Sequence, residues 1–143
     1  MYVAAAFGTS TQQHEIEDPS CTYLLAHDRG AIVAHALLRA GSRSAFVEDE
    51  RQMELQRFYV DHRYHGSGLA RQLMQECLTT ANAAGGRILW LGVWERNARA
   101  IAFYEKCGFA VVGQQHFLLG TDRQTDHVMM RSVSRDEPTT GGG

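Results

Sequence analysis

Long apolar runs are absent from this sequence, and none approaches the length needed to span a membrane. The N-terminal stretch MYVAAAFGTSTQQ has no basic region and no extended apolar core, which argues against a secretory signal. An excess of one charge is lacking too: 14 Lys and Arg against 16 Asp and Glu leave a formal net charge of -2. Such a chain has no general attraction to nucleic acid or an anionic membrane, so any anion site must be local. Cysteine is sparse. Cys21, Cys77 and Cys107 stand alone, with no CxxC or Cys/His spacing of a zinc site, so reduced thiols in a cytoplasm are the expectation. His62 and His65 form an HxxH without an evident third ligand, which gives no metal site.

What is present describes an ordinary globular chain of 143 residues, 44% hydrophobic and 21% charged. The expectation is one domain over 1–133, with 134–143 (SRDEPTTGGG) a disordered tail. Residues 2–18, Ala-rich and then polar, read as a helix interrupted at Gly8 and stopped before Pro19. CTYLLAH (21–27) and AIVAHALLRAG (31–41) flank the turn DRG as a hairpin. MELQRFYVD (53–61) alternates as a strand. Residues 67–86 carry Leu69, Leu73, Cys77, Leu78 and Ala81 at helical spacing, with Gly85-Gly86 as the stop. RILWLGVW (87–94) is an apolar strand of the kind buried on both faces. Residues 97–108 form a second helix, with Asn97 at its N-cap and Gly108 past its end, and 109–120 and 126–133 are closing strands. The centre is therefore a βαβ crossover with parallel pairing, between antiparallel hairpins.

The loop Arg63-Tyr64-His65-Gly66-Ser67-Gly68 joins a strand to a helix. Backbone N–H groups at a helix start lack internal partners, and glycine lets an anion approach them. An ordinary strand-to-helix turn is the plainer alternative for a bare GxG. A Walker A loop would need a lysine that does not follow Gly66, and a Rossmann fingerprint would need a third glycine or alanine where Arg71 stands. A kinase glycine loop joins two strands, whereas this one opens a helix. What remains is R-x-x-G-x-G between strand and helix.

FYVDHRYHGSGLARQLM followed by LWLGVWERNARAIAFYEKCGF resembles the acyl-CoA-binding core of the GNAT superfamily of N-acetyltransferases, over about 53–133. The resemblance implies an α+β fold, a three-layer α/β/α arrangement whose mixed, mostly antiparallel sheet holds a central parallel βαβ unit. It implies acetyl-CoA as cosubstrate and no metal. The cofactor-binding positions it suggests are Phe58, Tyr59, Val60, Arg63, His65, Gly66, Ser67, Gly68, Leu69 and Ala70, with Asn97, Ala100, Phe103 and Tyr104 from the second helix. The segment Gly120–Asp126 is similar to the PaiA-like branch, associated with polyamine acetylation.

Moving an acetyl group from a thioester to an amine raises three problems. An alkylammonium of pKa about 10.4 must be neutralised, at roughly 4.6 kcal/mol at pH 7. The tetrahedral oxyanion needs preorganised donors. The leaving thiolate benefits from an acid. Asn97 and Tyr104 lie two helical turns apart, about 10 Å along one helix, and the resemblance makes Tyr104 that acid. The oxyanion donors it implies are backbone N–H groups near Phe58 to Val60. Glu54, expected to share a strand face with Gln56 and Phe58, is the candidate base; Glu95 is a second candidate, and a water chain is the alternative. Glu95, Asp122 and Asp126 are candidates for holding a cationic amine, although the two aspartates also suit a surface turn capping the last strand. Cys107 reads as a buried thiol, since direct amine attack in a ternary complex needs no covalent enzyme intermediate.

Members of the family usually have a first strand and helix ahead of the segment matched to 2–18, and these are expected to be missing. An uncovered edge strand would favour pairing as a homodimer. The function expected is acetylation of a small primary amine, a polyamine such as spermidine or spermine among them. The alternatives are a truncated acyl-CoA-binding module and an acetyltransferase for a protein N-terminus or lysine.

Overall fold

The alternating segments pair as the pattern requires, and in the computed structural model they form one eight-stranded sheet of order β1-β2-β3-β4-β5-β6-β8-β7. The structure describes residues 2–4, 10–15 and 19–134, with side chains from residue 19 onward. The strands are β1 (Tyr2–Ala4), β2 (Ser10–Glu15), β3 (Cys21–Asp28), β4 (Ala31–Ala40), β5 (Gln52–Val60), β6 (Ile88–Trp94), β7 (Ala110–Leu119) and β8 (Asp122–Ser132). Helix α1 (Leu69–Ala83) crosses from β5 to β6, and α2 (Ala98–Lys106) follows β6. Among the described residues only β5 and β6 pair in parallel, as the intervening crossover helix demands. The β3–β4 hairpin turns on Arg29 and Gly30, both at positive φ (52° and 82°), the two-residue turn whose twist matches its strands.

Two expectations are corrected. Residues 2–4 and 10–15 are strands, paired antiparallel with each other and, through β2, with β3. The helical reading rested on the alanines at 4–6. Thr9, Ser10 and Thr11 are poor helix formers, and an open β3 edge supplies a full ladder of backbone partners. The last strand begins at Asp122 rather than 126, because the turn takes only Gly120 and Thr121. Most of the tail expected to be disordered, from residue 135 on, lies outside the described residues.

One face of the sheet buries Leu24, Leu38, Leu55, Leu89, Leu91 and Met129 against Leu69, Leu73 and Cys77 of α1, and α2 packs on the same cluster through Ile101, Phe103 and Tyr104. A smaller cluster on the other face joins Val47, Trp90 and Val128. The segment 41–51 covers it in place of a helix, held by hydrogen bonds rather than by regular structure. Buried Gln52 accepts from the Ser44 N–H at 2.6 Å and donates to the Val47 and Asp49 carbonyls, while the Trp90 indole donates to the Ser42 carbonyl. Phe46 of this segment lies flat on Gly113 of β7. A Cβ there would sit 2.3 Å from the Phe46 ring. Gly113→Ala is therefore expected to lift the ring and destabilise the fold by about 1–3 kcal/mol in chemical denaturation, and Phe46→Ala in the same background is expected to remove most of that difference.

Candidate active site

β5 and β6 start together and then part. Their ladder runs only through Gln52–Ile88, Met53–Leu89 and Glu54–Trp90, although β5 continues to Val60 and β6 to Trp94. Beyond Glu54 the β5 backbone keeps its β4 partners on one side, and the side towards β6 is a cleft. Its two walls are β5 with the following loop and α1, and β6 with α2.

The glycine loop forms the mouth. A 3₁₀ turn over His62–Tyr64 is capped by the Asp61 carboxylate, which accepts from the Arg63 N–H. Gly66 and Gly68 take φ of 82° and 91°, and a Cβ on Gly66 would meet nothing within 4 Å. The left-handed Gly68 serves as N-cap to α1 with no side-chain cap. The Tyr64, His65 and Ser67 N–H groups bond within the loop, and Leu69 N–H donates to Ser67 Oγ. The N–H groups of Gly66, Gly68, Ala70 and Arg71 find no acceptor among the described residues. They stand at the positive end of a 15-residue helix. Tyr64 anchors the loop from outside, its hydroxyl donating to Asp28 at the end of β3.

Arg63 is exposed and engaged. Its Nε and a terminal nitrogen both donate to Asp61, at 3.2 and 3.0 Å, and that guanidinium holds the Asp61 carboxyl down at about 2.

Across the cleft, Asn97 caps α2 by accepting from the Ala100 N–H at 3.2 Å. One turn and then two turns on, Ala100, Phe103 and Tyr104 reach the core cluster. Phe58 of β5 meets Phe103 (centroids 5.6 Å apart) and the edge of Tyr104 (6.2 Å), and Phe109 closes on Tyr104 at 5.8 Å. Burial in this aromatic nest pushes the Tyr104 phenol up to about 12. Its hydroxyl makes no hydrogen bond among the described residues. Leu69, 1% exposed, is a core residue and offers the cleft no side chain.

A bulge changes the face of Glu54. In the β4–β5 ladder Leu38 pairs with Leu55 and Leu37 with Arg57, which leaves Gln56 as one extra residue. The period of two breaks there. Leu55, Phe58 and Val60 all join the helix-side cluster, whereas Glu54 points to the other face and accepts from Ser42 Oγ at 2.7 Å. The expectation that Glu54 shares a face with Gln56 and Phe58 is thus corrected. Tyr59 also lies on the helix-free side, stacked on His35 at 5.4 Å. Tyr104 and Glu54 therefore flank the split from opposite faces.

Asp126 belongs to the Glu54 face. Its Oδ1 accepts from Gln124 at 2.8 Å, and its Oδ2 would lie 3.7 Å from a Cβ on Gly92. Gly92 thus leaves space beside Asp126, on the sheet face that also carries the exposed Trp94 and Glu54, whose strand partner is Trp90. Asp122 shares the strand but stands about 13 Å away along it, at the hairpin tip. Glu95 is exposed at the end of β6, its N–H tied to the Thr125 carbonyl. Sequence reasoning missed Ser42, Tyr64, Trp94 and Arg99. Only Arg99 carried a signal, as a cation two residues past the helix cap.

Residues 3–109 of the chain, which include this cleft and its mouth, match a family model described as "Acetyltransferase (GNAT) family". The chain is 36% identical over 132 residues to an uncharacterized N-acetyltransferase of Mycobacterium tuberculosis, a match spanning 92% of this chain and 80% of the relative. The chain belongs to the GNAT family. Two further relatives of the GNAT domain match over shorter stretches. The N-alpha-acetyltransferase RimI of Mycobacterium tuberculosis is 32% identical over 100 residues, 69% of this chain and 58% of the relative. The spermine/spermidine N(1)-acetyltransferase of Bacillus subtilis is 31% identical over 64 residues, 44% of this chain and 42% of the relative. This GNAT chain is an acetyl-CoA-dependent N-acetyltransferase. No helix among its described residues is long and apolar enough to cross a membrane.

Proposed function

We propose that this chain acetylates a small primary amine, with a polyamine as the acceptor class, by direct attack of the amine on the thioester. Acetyl-CoA supplies the activated acetyl group. The unpaired N–H groups of Gly66, Gly68, Ala70 and Arg71 fit its diphosphate, and the space above Gly66 lets phosphate oxygens reach them. The β5 backbone facing the cleft suits the pantetheine arm and supplies the oxyanion donors near Phe58 to Val60. Asn97 contributes from the opposite wall while capping α2.

Tyr104 is the proton donor to the leaving sulfur. Its nest keeps the phenol protonated across the neutral range, and its hydroxyl has no competing partner among the described residues. Glu54, fixed by Ser42 on the opposite side of the split, accepts the ammonium proton directly or through one water. Acid and base then act from opposite sides of the split, which keeps them from neutralising each other.

The observation that carries the acceptor class is the space at Gly92. Asp126 is held with one oxygen beside it, and Trp94, its exposed partner on β6, is an aromatic that suits a cation. Asp122, at the tip, reaches a second ammonium only on an extended amine. Asp126→Asn is expected to raise the amine KM about tenfold with the acetyl-CoA KM unchanged, since one charged contact to the acceptor is lost; steady-state kinetics with each substrate varied checks this. Acetylation of a protein N-terminus is the second reading, supported by the longer match to an N-alpha-acetyltransferase. Equimolar spermidine and an alanyl peptide, offered together with limiting acetyl-CoA, separate the two by mass spectrometry. Acetyl-spermidine as the main product is expected, and a mainly acetylated peptide would replace the first reading by the second.

A further inference from the structure

We infer that Arg99 is the cation that grips the cosubstrate's diphosphate, and that His65 holds its guanidinium at the cleft mouth. The inference rests on the diphosphate lying at the glycine loop, as proposed above. Arg99 is on α2 and His65 in the loop after β5, so they belong to opposite walls of the cleft. A terminal nitrogen of Arg99 lies 2.6 Å from His65 Nδ1, and His65 Nε2 lies 2.9 Å from the Val60 carbonyl oxygen. These partners fix the roles. A guanidinium only donates and a carbonyl only accepts, so Nδ1 is the bare acceptor and Nε2 carries the hydrogen.

The consequence is electrostatic. Arg63, the arginine of the loop motif, already faces the carboxylate of Asp61 through two hydrogen bonds. Arg99 faces an imidazole with no negative charge, and no carboxylate pairs with it among the described residues. Arg71, whose N–H belongs to the cradle, has its side chain beside Met74, Cys107 and Arg131; of Arg63 and Arg99, Arg99 therefore has the uncompensated charge. His65 precedes Gly66, so the guanidinium is held within one residue of the free N–H groups. With one terminal nitrogen on His65, the remaining guanidinium N–H groups are available to phosphate oxygens, where both partners are charged. Phe103, one turn along α2 from Arg99, meets Phe58 of β5, so the two cleft walls also touch through these rings.

The test is calorimetric and needs no turnover. Wild type, Arg99→Gln and Arg63→Gln are titrated with coenzyme A and with 3′-dephospho-coenzyme A, and pantetheine binding is followed by NMR at millimolar concentration. Arg99→Gln is expected to weaken coenzyme A and its dephospho form equally, by about ten- to a hundredfold, and to leave pantetheine unchanged. Arg63→Gln is expected to cost less than about fivefold, as for an exposed, already paired charge. A larger loss from Arg63→Gln, a loss confined to coenzyme A with its 3′-phosphate, or an equal loss for pantetheine would each overturn the inference. Wild type that binds pantetheine as tightly as coenzyme A would instead remove the diphosphate cradle itself.

Discussion

Gly66→Asp is expected to weaken coenzyme A binding about a hundred- to a thousandfold, read by calorimetry. Two effects act in one direction. At φ 82° any residue with a Cβ is strained by roughly 1–2 kcal/mol, and relief of that strain turns the free N–H groups away from their common focus. The carboxylate also projects into the open space above the loop, where the diphosphate would lie. A like charge about 5 Å away costs about 3 kcal/mol at the effective dielectric of a protein surface. Gly66→Ala separates the two terms. Its Cβ meets nothing within 4 Å, so only backbone strain remains, and a loss of about tenfold is expected. Equal affinities for wild type and the aspartate variant would show that the loop is merely a turn.

Tyr104→Phe is expected to lower kcat about a hundredfold or more while coenzyme A affinity stays within about twofold. The ring contacts with Phe58, Phe103 and Phe109 survive the change, so packing is preserved. The hydroxyl has no hydrogen-bond partner to lose among the described residues, and stability is expected to hold within about 0.5 kcal/mol. The direction of the phenol's shift matters here. Burial raises it to about 12, so the proton is present throughout the neutral range, and the wild-type pH profile should show no fall from Tyr104 ionising there. Unaltered kcat in the phenylalanine variant would assign the proton to water.

Much of this site was legible in the sequence because each legible piece was local. A glycine loop between an aromatic strand and a periodic helix marks a helix start, where N–H groups lack internal partners, and the family resemblance is what separates a cradle from an ordinary turn. Asn97, one residue before an apolar-periodic run, announces a cap, and the structure has it accepting from Ala100. The failures were of other kinds. The alanines at 4–6 suggested a helix because propensity carries no knowledge of an open β3 edge. The bulge at Gln56 had no compositional mark, so period-two reasoning moved Glu54 to the wrong face. The contact between Arg99 and His65 joins residues 34 apart in sequence. It exists only once the strands have split, and no spacing rule reaches it. The segment 41–51 carries no periodic pattern, and the hydrogen bonds by which Gln52 and Trp90 pin it join side chains to backbone groups that no spacing rule pairs.

Release of free thiol from acetyl-CoA, measured with and without an amine, tests the central claim most directly. The expected result is release that depends on the amine, with one acetylated amine formed for each thiol freed. Folded protein that binds acetyl-CoA but frees no thiol beyond the amine-free rate, with spermidine, spermine or the alanyl peptide, would contradict it.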